Sequence, residues 1–411
     1  MRRFRFSAWV TAVAFAVFPQ CDSGAQGDRF VQDRFVIGFW VDPPADEKMP
    51  GRYQEIADAN FTLVLGGFST TTPEQIERQL DLCRKYDLKA LVLPTPYAVD
   101  ALPAGPECWG YVLRDEPGAS DFPALRLEVD AFRRARPGKL ALINLFPNYC
   151  DLKRLGTGSY EEHVACFMEE VRPDVLCMDH YPLFKPGQDG RQAYCDNLDV
   201  MRRFSLANGV PFWNFFNTMP FGPHTDPTEA QLRWQVYTSL AYGAKGVLYF
   251  CYYTPLGDEF PKGGAIIGRD GRPTRHYDQA KRINAELKNL GPFLMKATST
   301  GIRRLRPEDD PAQVLAGTPI ETISRAPEDP PNDYLIGTFE LTDGRAAVLL
   351  NNYRTEYSAW PTVEFRADLG RVMEVSKKTG IGVSILDDSP DMEGLQLSFD
   401  AAEGRLFLIT P

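Results

Sequence analysis

Apolar residues in this chain fall into short continuous runs separated by longer stretches of helical periodicity. The runs cover residues 34–40, 61–68, 89–93, 110–113, 139–146, 174–181, 211–217 and 245–253. Runs of this length with no alternation predict strands buried on both faces, as in a parallel sheet. Between them, periodic segments predict helices at 51–59, 72–86, 122–135, 159–171, 191–208, 229–242 and 277–290. Thr72-Pro73-Glu74 and Asp226-Pro227-Thr228-Glu229 are helix starts, with proline in or before the first turn and an acid near the positive end. Eight strands and seven helical segments, read as a repeating unit in which every strand is followed by a helix, span about 260 residues and predict a (β/α)8 TIM barrel. A doubly wound sheet would carry a glycine-rich loop after its first strand. Here that strand runs into Val41-Asp42-Pro43-Pro44.

Past residue 298 the pattern changes. Short apolar or alternating runs at 334–340, 346–352, 362–365, 372–375, 395–399 and 405–409 are punctuated by Asp343-Gly344 and Glu403-Gly404 turns. They predict a small C-terminal antiparallel β-sandwich without a catalytic cluster. The expected organisation is a signal peptide over 1–25, a TIM-barrel catalytic domain over 26–297 and a β-sandwich domain over 298–411.

The leader reads from its charge pattern. Arg2, Arg3 and Arg5 precede an apolar core at 6–18, too short to span a bilayer, and Ser23-Gly24-Ala25 supplies a cleavage site. Cleavage after Ala25 predicts an exported protein, periplasmic or extracellular, with no membrane span once the leader is gone. Gln20 fits poorly before a lipid-modified Cys21. Export permits disulfides. Seven cysteines remain after Cys21, so at least one is left out of any intrachain pairing. Cys177 and Cys251 lie in apolar strands as small core residues, and Cys150 with Cys195 is the expected pair.

Composition adds little to the fold and something to the function. Aromatics make up 12% of the chain, which suits a groove on which sugar rings stack. A net charge of −10 without a basic run excludes nucleic acid as a partner. Four histidines without paired spacing give no metal site, no Gly-X-Ser-X-Gly elbow is present, and no cofactor is implied. Oligomeric state cannot be read from the sequence.

The chemistry concentrates in Gly110-Tyr111-Val112-Leu113-Arg114-Asp115-Glu116-Pro117, where a buried run ends in three charged residues. Pro117 stops the strand and predicts an extended Glu116. In a barrel, residues just past the strands converge on one mouth. This gathers Trp40, Asp42, Arg114, Asp115, Glu116, Asn144, Asn148, Asp179, His180, Tyr181, Trp213, Asn217, Tyr249 and Tyr252. Amides and carboxylates bind hydroxyls, and rings pack on sugar faces, so a carbohydrate is the expected partner. Glycoside cleavage needs two carboxyl roles. Glu116 is the expected general acid/base, with Asp115 raising its pKa. Asp179 or Asp115 is the second carboxylate. The competing readings make Asp115 a helix cap, Asp179 a partner of Arg114 and His180 structural.

The octet at 110–117, Asp179-His180-Tyr181-Pro182, and the stretch from Arg233-Trp234-Gln235-Val236-Tyr237 to Leu240-Ala241-Tyr242-Gly243-Ala244-Lys245-Gly246 resemble clan A barrel glycoside hydrolases of the β-galactosidase and agarase kind. The resemblance spans about residues 34–290. It implies an exported glycoside hydrolase with Glu116 as acid/base. In clan A an Asn precedes that Glu, where Asp115 stands here. The clan's nucleophile Glu at the end of strand seven has no counterpart in Asn214-Phe215-Phe216-Asn217-Thr218. The Asp-Glu-Pro step is also similar to that of family 123 hexosaminidases. That likeness implies a substrate-assisted mechanism, with Asp115 orienting the acetamido nucleophile and Glu116 as acid. The missing Glu equally supports a catalytically inactive, carbohydrate-binding barrel.

Overall fold

The computed structural model describes residues 29–95, 97–260 and 264–410. The leader at 1–25, with Cys21, lies outside the described residues. Eight parallel strands build one sheet: β1 (Val36–Phe39), β2 (Leu63–Leu65), β3 (Lys89–Val92), β4 (Cys108–Asp115), β5 (Leu140–Leu145), β6 (Leu176–Asp179), β7 (Phe212–Asn217) and β8 (Gly246–Phe250). β8 pairs with β1 in parallel, which brings the ends of the sheet together. The seam between β1 and β2 is carried by Thr62. Its N–H donates to the Ile37 carbonyl at 2.8 Å, and its hydroxyl oxygen accepts from the Ile37 N–H at 2.9 Å. Val36, Leu65, Leu142, Cys177, Phe215 and Leu248 fill the barrel interior. Their neighbours in sequence, such as Ile37, Val64, Ile143 and Phe216, pack outward under the helices. This two-residue alternation decides which side chains reach the mouth.

The helices are α1 (Met49–Asp58), α2 (Pro73–Lys85), α3 (Phe122–Ala135), α4 (Leu152–Leu155), α5 (Tyr160–Glu170), α6 (Arg191–Asn208), α7 (Glu229–Ala241) and α8 (Arg275–Lys296). Thr72 and Thr228 cap α2 and α7 in capping boxes with Gln75 and Gln231, as the sequence signals require. The expectation that every strand is followed by a helix fails once. Between β3 and β4 the described residues form only a single 3-10 turn, Val99–Ala101. Pro94, Pro96, Pro103 and Pro106 remove too many backbone donors for a helix there. No helix among the described residues is long and apolar enough to cross a membrane.

The C-terminal part contains β9 (Ala297–Leu305), α9 (Pro311–Leu315), β10 (Ile320–Ser324), β11 (Tyr334–Leu341), β12 (Ala346–Asn352), β13 (Thr362–Phe365), β14 (Arg371–Val375), β15 (Gly382–Val383), β16 (Leu395–Gln396) and β17 (Gly404–Thr410). An antiparallel six-stranded sheet, β15-β14-β17-β12-β11-β9, faces a three-stranded one, β10-β13-β16. Ile336, Val348, Leu350, Val363 and Phe407 fill the space between them. The other face of the larger sheet, with Leu335, Phe339 and Leu349, continues the barrel's outer core. α7 is therefore buried on most sides, and Asn351 reaches it by donating to the Tyr237 carbonyl at 2.7 Å. Gly337 is required at this contact, since a Cβ there would lie 2.5 Å from the Ala241 carbonyl oxygen.

The expected Cys150–Cys195 disulfide is not formed. All seven described cysteines are free thiols. α6 turns Cys195 toward the β domain, where its Sγ lies 3.4 Å from the Tyr353 hydroxyl, while Cys150 stays beside α4 with its Sγ 3.7 Å from the Asp151 carbonyl.

Candidate active site

β4 and β5 run in register through Val112 and Leu142, skip Leu113, and resume with Arg114 opposite Ile143 and Asp115 opposite Asn144. This one-residue bulge re-aims the end of the strand. Asp115 now shares the inner face with Asn144, and Asn144 in turn is opposite Cys177, two residues before Asp179. Glu116 follows with φ of 47°. The extended conformation expected before Pro117 is not adopted. A tertiary hydrogen bond from the Glu116 N–H to the Asn144 carbonyl, 2.8 Å long, holds the residue in the left-handed region instead. Asp115 is not a helix cap either, since α3 begins seven residues later, at Phe122 behind Asp121.

Asn144 connects the acids. Its Nδ2 donates to Asp115 Oδ1 at 3.0 Å and to Asp179 Oδ1 at 2.9 Å. The Cys177 thiol donates to its Oδ1 at 3.4 Å. Asp179 is buried, whereas Asp115 opens to the mouth and Glu116 is half-buried. Burial comes first in lifting the Asp179 carboxyl well above the usual range, followed by the charges of Glu116 and Asp115; Asn144 and Tyr181 oppose the rise. Burial also raises Glu116, ahead of the neighbouring Asp115, and Arg154 pulls it back. The rise expected from Asp115 is present, second to burial. Asp115 sits in a concavity that strips water from it and raises its carboxyl, opposed by the Asn144 hydrogen bond.

Two side chains that no sequence pattern marked complete this wall. Arg154, on the four-residue α4, donates to Glu116 Oε2 at 3.1 Å and lies over the Phe146 ring at 4.6 Å. Tyr149 is half exposed, with its ring edge-on to His180 at 4.9 Å and within electrostatic reach of Asp179 and Glu116. Both follow β5, where the sequence shows only an irregular segment. Across the mouth, Trp40 packs edge-on against exposed Phe68 at 5.0 Å and Phe215 at 5.4 Å. Tyr181 packs against Phe221 and Phe250 at 5.2 and 5.1 Å and closes the β6–β8 side.

Other predicted mouth residues lie elsewhere, for reasons of alternation and packing. Trp213 faces inward but near the start of β7, at the barrel floor, where its Nε1 donates to Gln32 Oε1 at 2.9 Å. Tyr249 and Tyr252 point to the helix layer. Tyr249 donates to Asn284 Oδ1 at 2.8 Å, and Tyr252 stacks on Phe39 at 4.4 Å. Arg114 sits on the Ile143 side of the sheet, away from Asp179. Asn148 ties its loop to α6 by donating to the Ala193 carbonyl at 3.0 Å. His180 is fully buried, with Nδ1 3.0 Å from Asn197 Oδ1. Asp42 is fully enclosed and accepts from the Phe68 and Ser69 N–H groups at 3.0 Å and from the Thr70 hydroxyl at 2.7 Å. Asn217 ends β7 beneath the aromatic cluster, its amide enclosed and unpaired. A cavity of about 610 Å3 lies at the opposite end of the barrel, beside Gln32, Asp174 and Lys245, remote from the acids.

No protein-family model matches the sequence, and no curated protein matches it. Among solved structures, a β-galactosidase from Bacillus circulans sp. alkalophilus superposes with a TM-score of 0.59 at 11% identity, covering 92% of this chain and 99% of that one. The likeness is one of fold. A β-galactosidase from the psychrophilic Marinomonas ef1 gives 0.45 at 13% identity over 62% of this chain. The matched region spans 60% of that enzyme's length. A putative α-galactosidase/melibiase from Bacteroides fragilis gives 0.45 at 12% identity, covering 92% of this chain and 79% of that one.

Proposed function

We propose that the protein hydrolyses glycosidic bonds of an oligo- or polysaccharide. The observation that carries this reading is the trio Asp115, Glu116 and Asp179 at the carboxyl end of the barrel, joined through Asn144 and faced by Trp40 and Phe68. The superposed barrel from Bacillus circulans, itself a β-galactosidase, is consistent with it. Glu116 is the general acid/base. Its half-buried carboxyl holds a proton more readily than a solvated one and delivers it to the leaving oxygen. Arg154 stabilises the carboxylate left behind. Asp115, the carboxyl most open to the mouth, is the second group, and Asp179 backs it from below.

A second reading has its own support. Asp115 and Glu116 form the accessible pair while Asp179 is buried, and β7 ends in Asn217 rather than a carboxylate. That arrangement suits a substrate-assisted N-acetylhexosaminidase, in which Asp115 orients the acetamido group and Glu116 protonates the leaving oxygen.

Aryl glycosides and N-acetylhexosaminides, assayed with the wild type and with Glu116→Gln, test both readings. The expected result is turnover by the wild type and a loss of at least about 100-fold in the folded variant. Unchanged turnover in Glu116→Gln would falsify the acid assignment. Turnover confined to N-acetylated substrates selects the second reading. Sugar binding without turnover by the wild type leaves an inactive binding barrel. Removal of the leader after Ala25 would place the activity outside the cytoplasm, and N-terminal sequencing of exported protein checks this.

A further inference from the structure

Asn144 stands in the sequence as one of many amides around the mouth, and the obvious part for it is a bond to a sugar hydroxyl. The geometry gives it none to spare. An amide nitrogen carries two hydrogens. Both are used on carboxyl oxygens, at 3.0 Å to Asp115 and 2.9 Å to Asp179. The amide oxygen takes the Cys177 thiol at 3.4 Å, which fixes its orientation, because the reverse flip would set oxygen against two carboxyls. The residue is buried. With the amide hydrogens diverging at the trigonal angle, the two accepting oxygens lie about 5 Å apart. Two ionised carboxylates at that separation repel strongly in a half-buried site. A donor shared between them offsets that repulsion and ties the protonation of one to that of the other.

We propose that Asn144 is a positioning residue that holds Asp115 and Asp179 toward the mouth as one coupled titrating unit. This deepens the hydrolase reading and rests on it for its catalytic consequence, although the clamp itself exists without turnover. The titratable groups facing the pair are Glu116 from β4, Tyr149 and Arg154 after β5, and Cys177 and Tyr181 on and after β6. Arg154 engages Glu116, so among these neighbours Asn144 is the donor common to both aspartates.

The test is a carboxyl-carbon NMR titration of the full chain labelled at aspartate, with Asp115→Asn and Asp179→Asn assigning the two signals. In Asn144→Leu, similar in size and without a donor, both midpoints are expected to rise by about one pH unit or more. In Asn144→Ser, which keeps at most one donor, the midpoint of the aspartate that loses its bond is expected to rise more than that of its partner. If Asn144→Leu does not fold, Asn144→Ser decides alone. Unmoved midpoints in the folded variant overturn the proposal. On an active substrate, Asn144→Leu should lose about 100-fold in kcat with little change in KM, and the acidic limb of its pH profile should move to higher pH. Moved midpoints in a protein that turns over no glycoside would keep the clamp and remove the hydrolase reading.

Discussion

His180 and Asp42 sit at the ends of barrel strands and are enclosed by them, and their titrations oppose each other. Burial pushes His180 down to about 4, against the Asn197 hydrogen bond. Its folded pKa lies below the unfolded value of 6.5, so its contribution is present above pH 6.5 and is lost as pH falls toward 4. Burial raises Asp42 to about 6, against bonds from Thr70, Phe68 and Ser69. Its contribution is present below the unfolded value of 3.8 and is lost as pH rises through 6. Each effect amounts to about 3 kcal/mol over its window, so they largely cancel in the wild type. In His180→Gln, urea unfolding at pH 7 and pH 4.5 should show stability gained on acidification relative to wild type. Asp42→Asn should show the reverse. Parallel pH profiles for wild type and variants would rule this account out. At the mouth itself, Val41 and Glu116 have φ of 66° and 47°, so two strand ends carry backbone strain close to the proposed chemistry.

Each barrel strand supplies one pattern outward and another inward, and a single inserted residue changes which is which. The bulge at Leu113 brings Asp115 to the inner face beside Asn144. At the β1–β2 seam the Thr62 hydroxyl oxygen stands in for a carbonyl as acceptor of the Ile37 N–H. Thr62→Val keeps the shape and leaves that buried donor without its partner. The expected cost is about 1–3 kcal/mol in denaturant unfolding, and amide exchange at Ile37 should accelerate. A variant as stable as wild type would show the seam to be held by packing alone. Between β3 and β4 the ring is closed without an α-helix, with Leu102 buried in the outer core and its carbonyl accepting from Arg136 Nε at 2.7 Å.

The β domain caps the barrel's side rather than its mouth. Leu335, Phe339 and Leu349 share one apolar core with Tyr237, Leu240 and Ala241 of α7, and Asn289 on α8 donates to the Lys377 carbonyl at 2.8 Å. A surface this apolar has no solvated alternative for the barrel alone. Calorimetry of the whole protein should give one cooperative transition, and a chain ending at Lys296 should aggregate. Two separated transitions, or a soluble folded barrel from the shortened chain, would show the two parts to be independent. α7 is enclosed at Leu232 and from Trp234 through Ala241, so it has almost no face to give to water.

The order of strands and helices was legible in the sequence, because continuous apolar runs, capping boxes and proline punctuation are local signals. Six strands of the β domain were legible for the same reason. β9, β10 and β15 were not, since Ala297–Leu305 and Ile320–Ser324 mix polar and apolar residues without a clear period and Gly382–Val383 is too short to show one. That Asp115 and Glu116 end a barrel strand also followed from the chain alone. Which side chains meet was decided only in three dimensions. Alternation sent Tyr249 to the helix layer and depth put Trp213 at the floor, although both lie on the strands expected to line the mouth. Arg154 and Tyr149 reach the acids through an irregular segment whose path has no periodicity to read. The bridge from Asn144 to Asp115 and Asp179 spans 29 and 35 residues of sequence, and only the lateral pairing of β4, β5 and β6 in the sheet brings those three strand ends side by side.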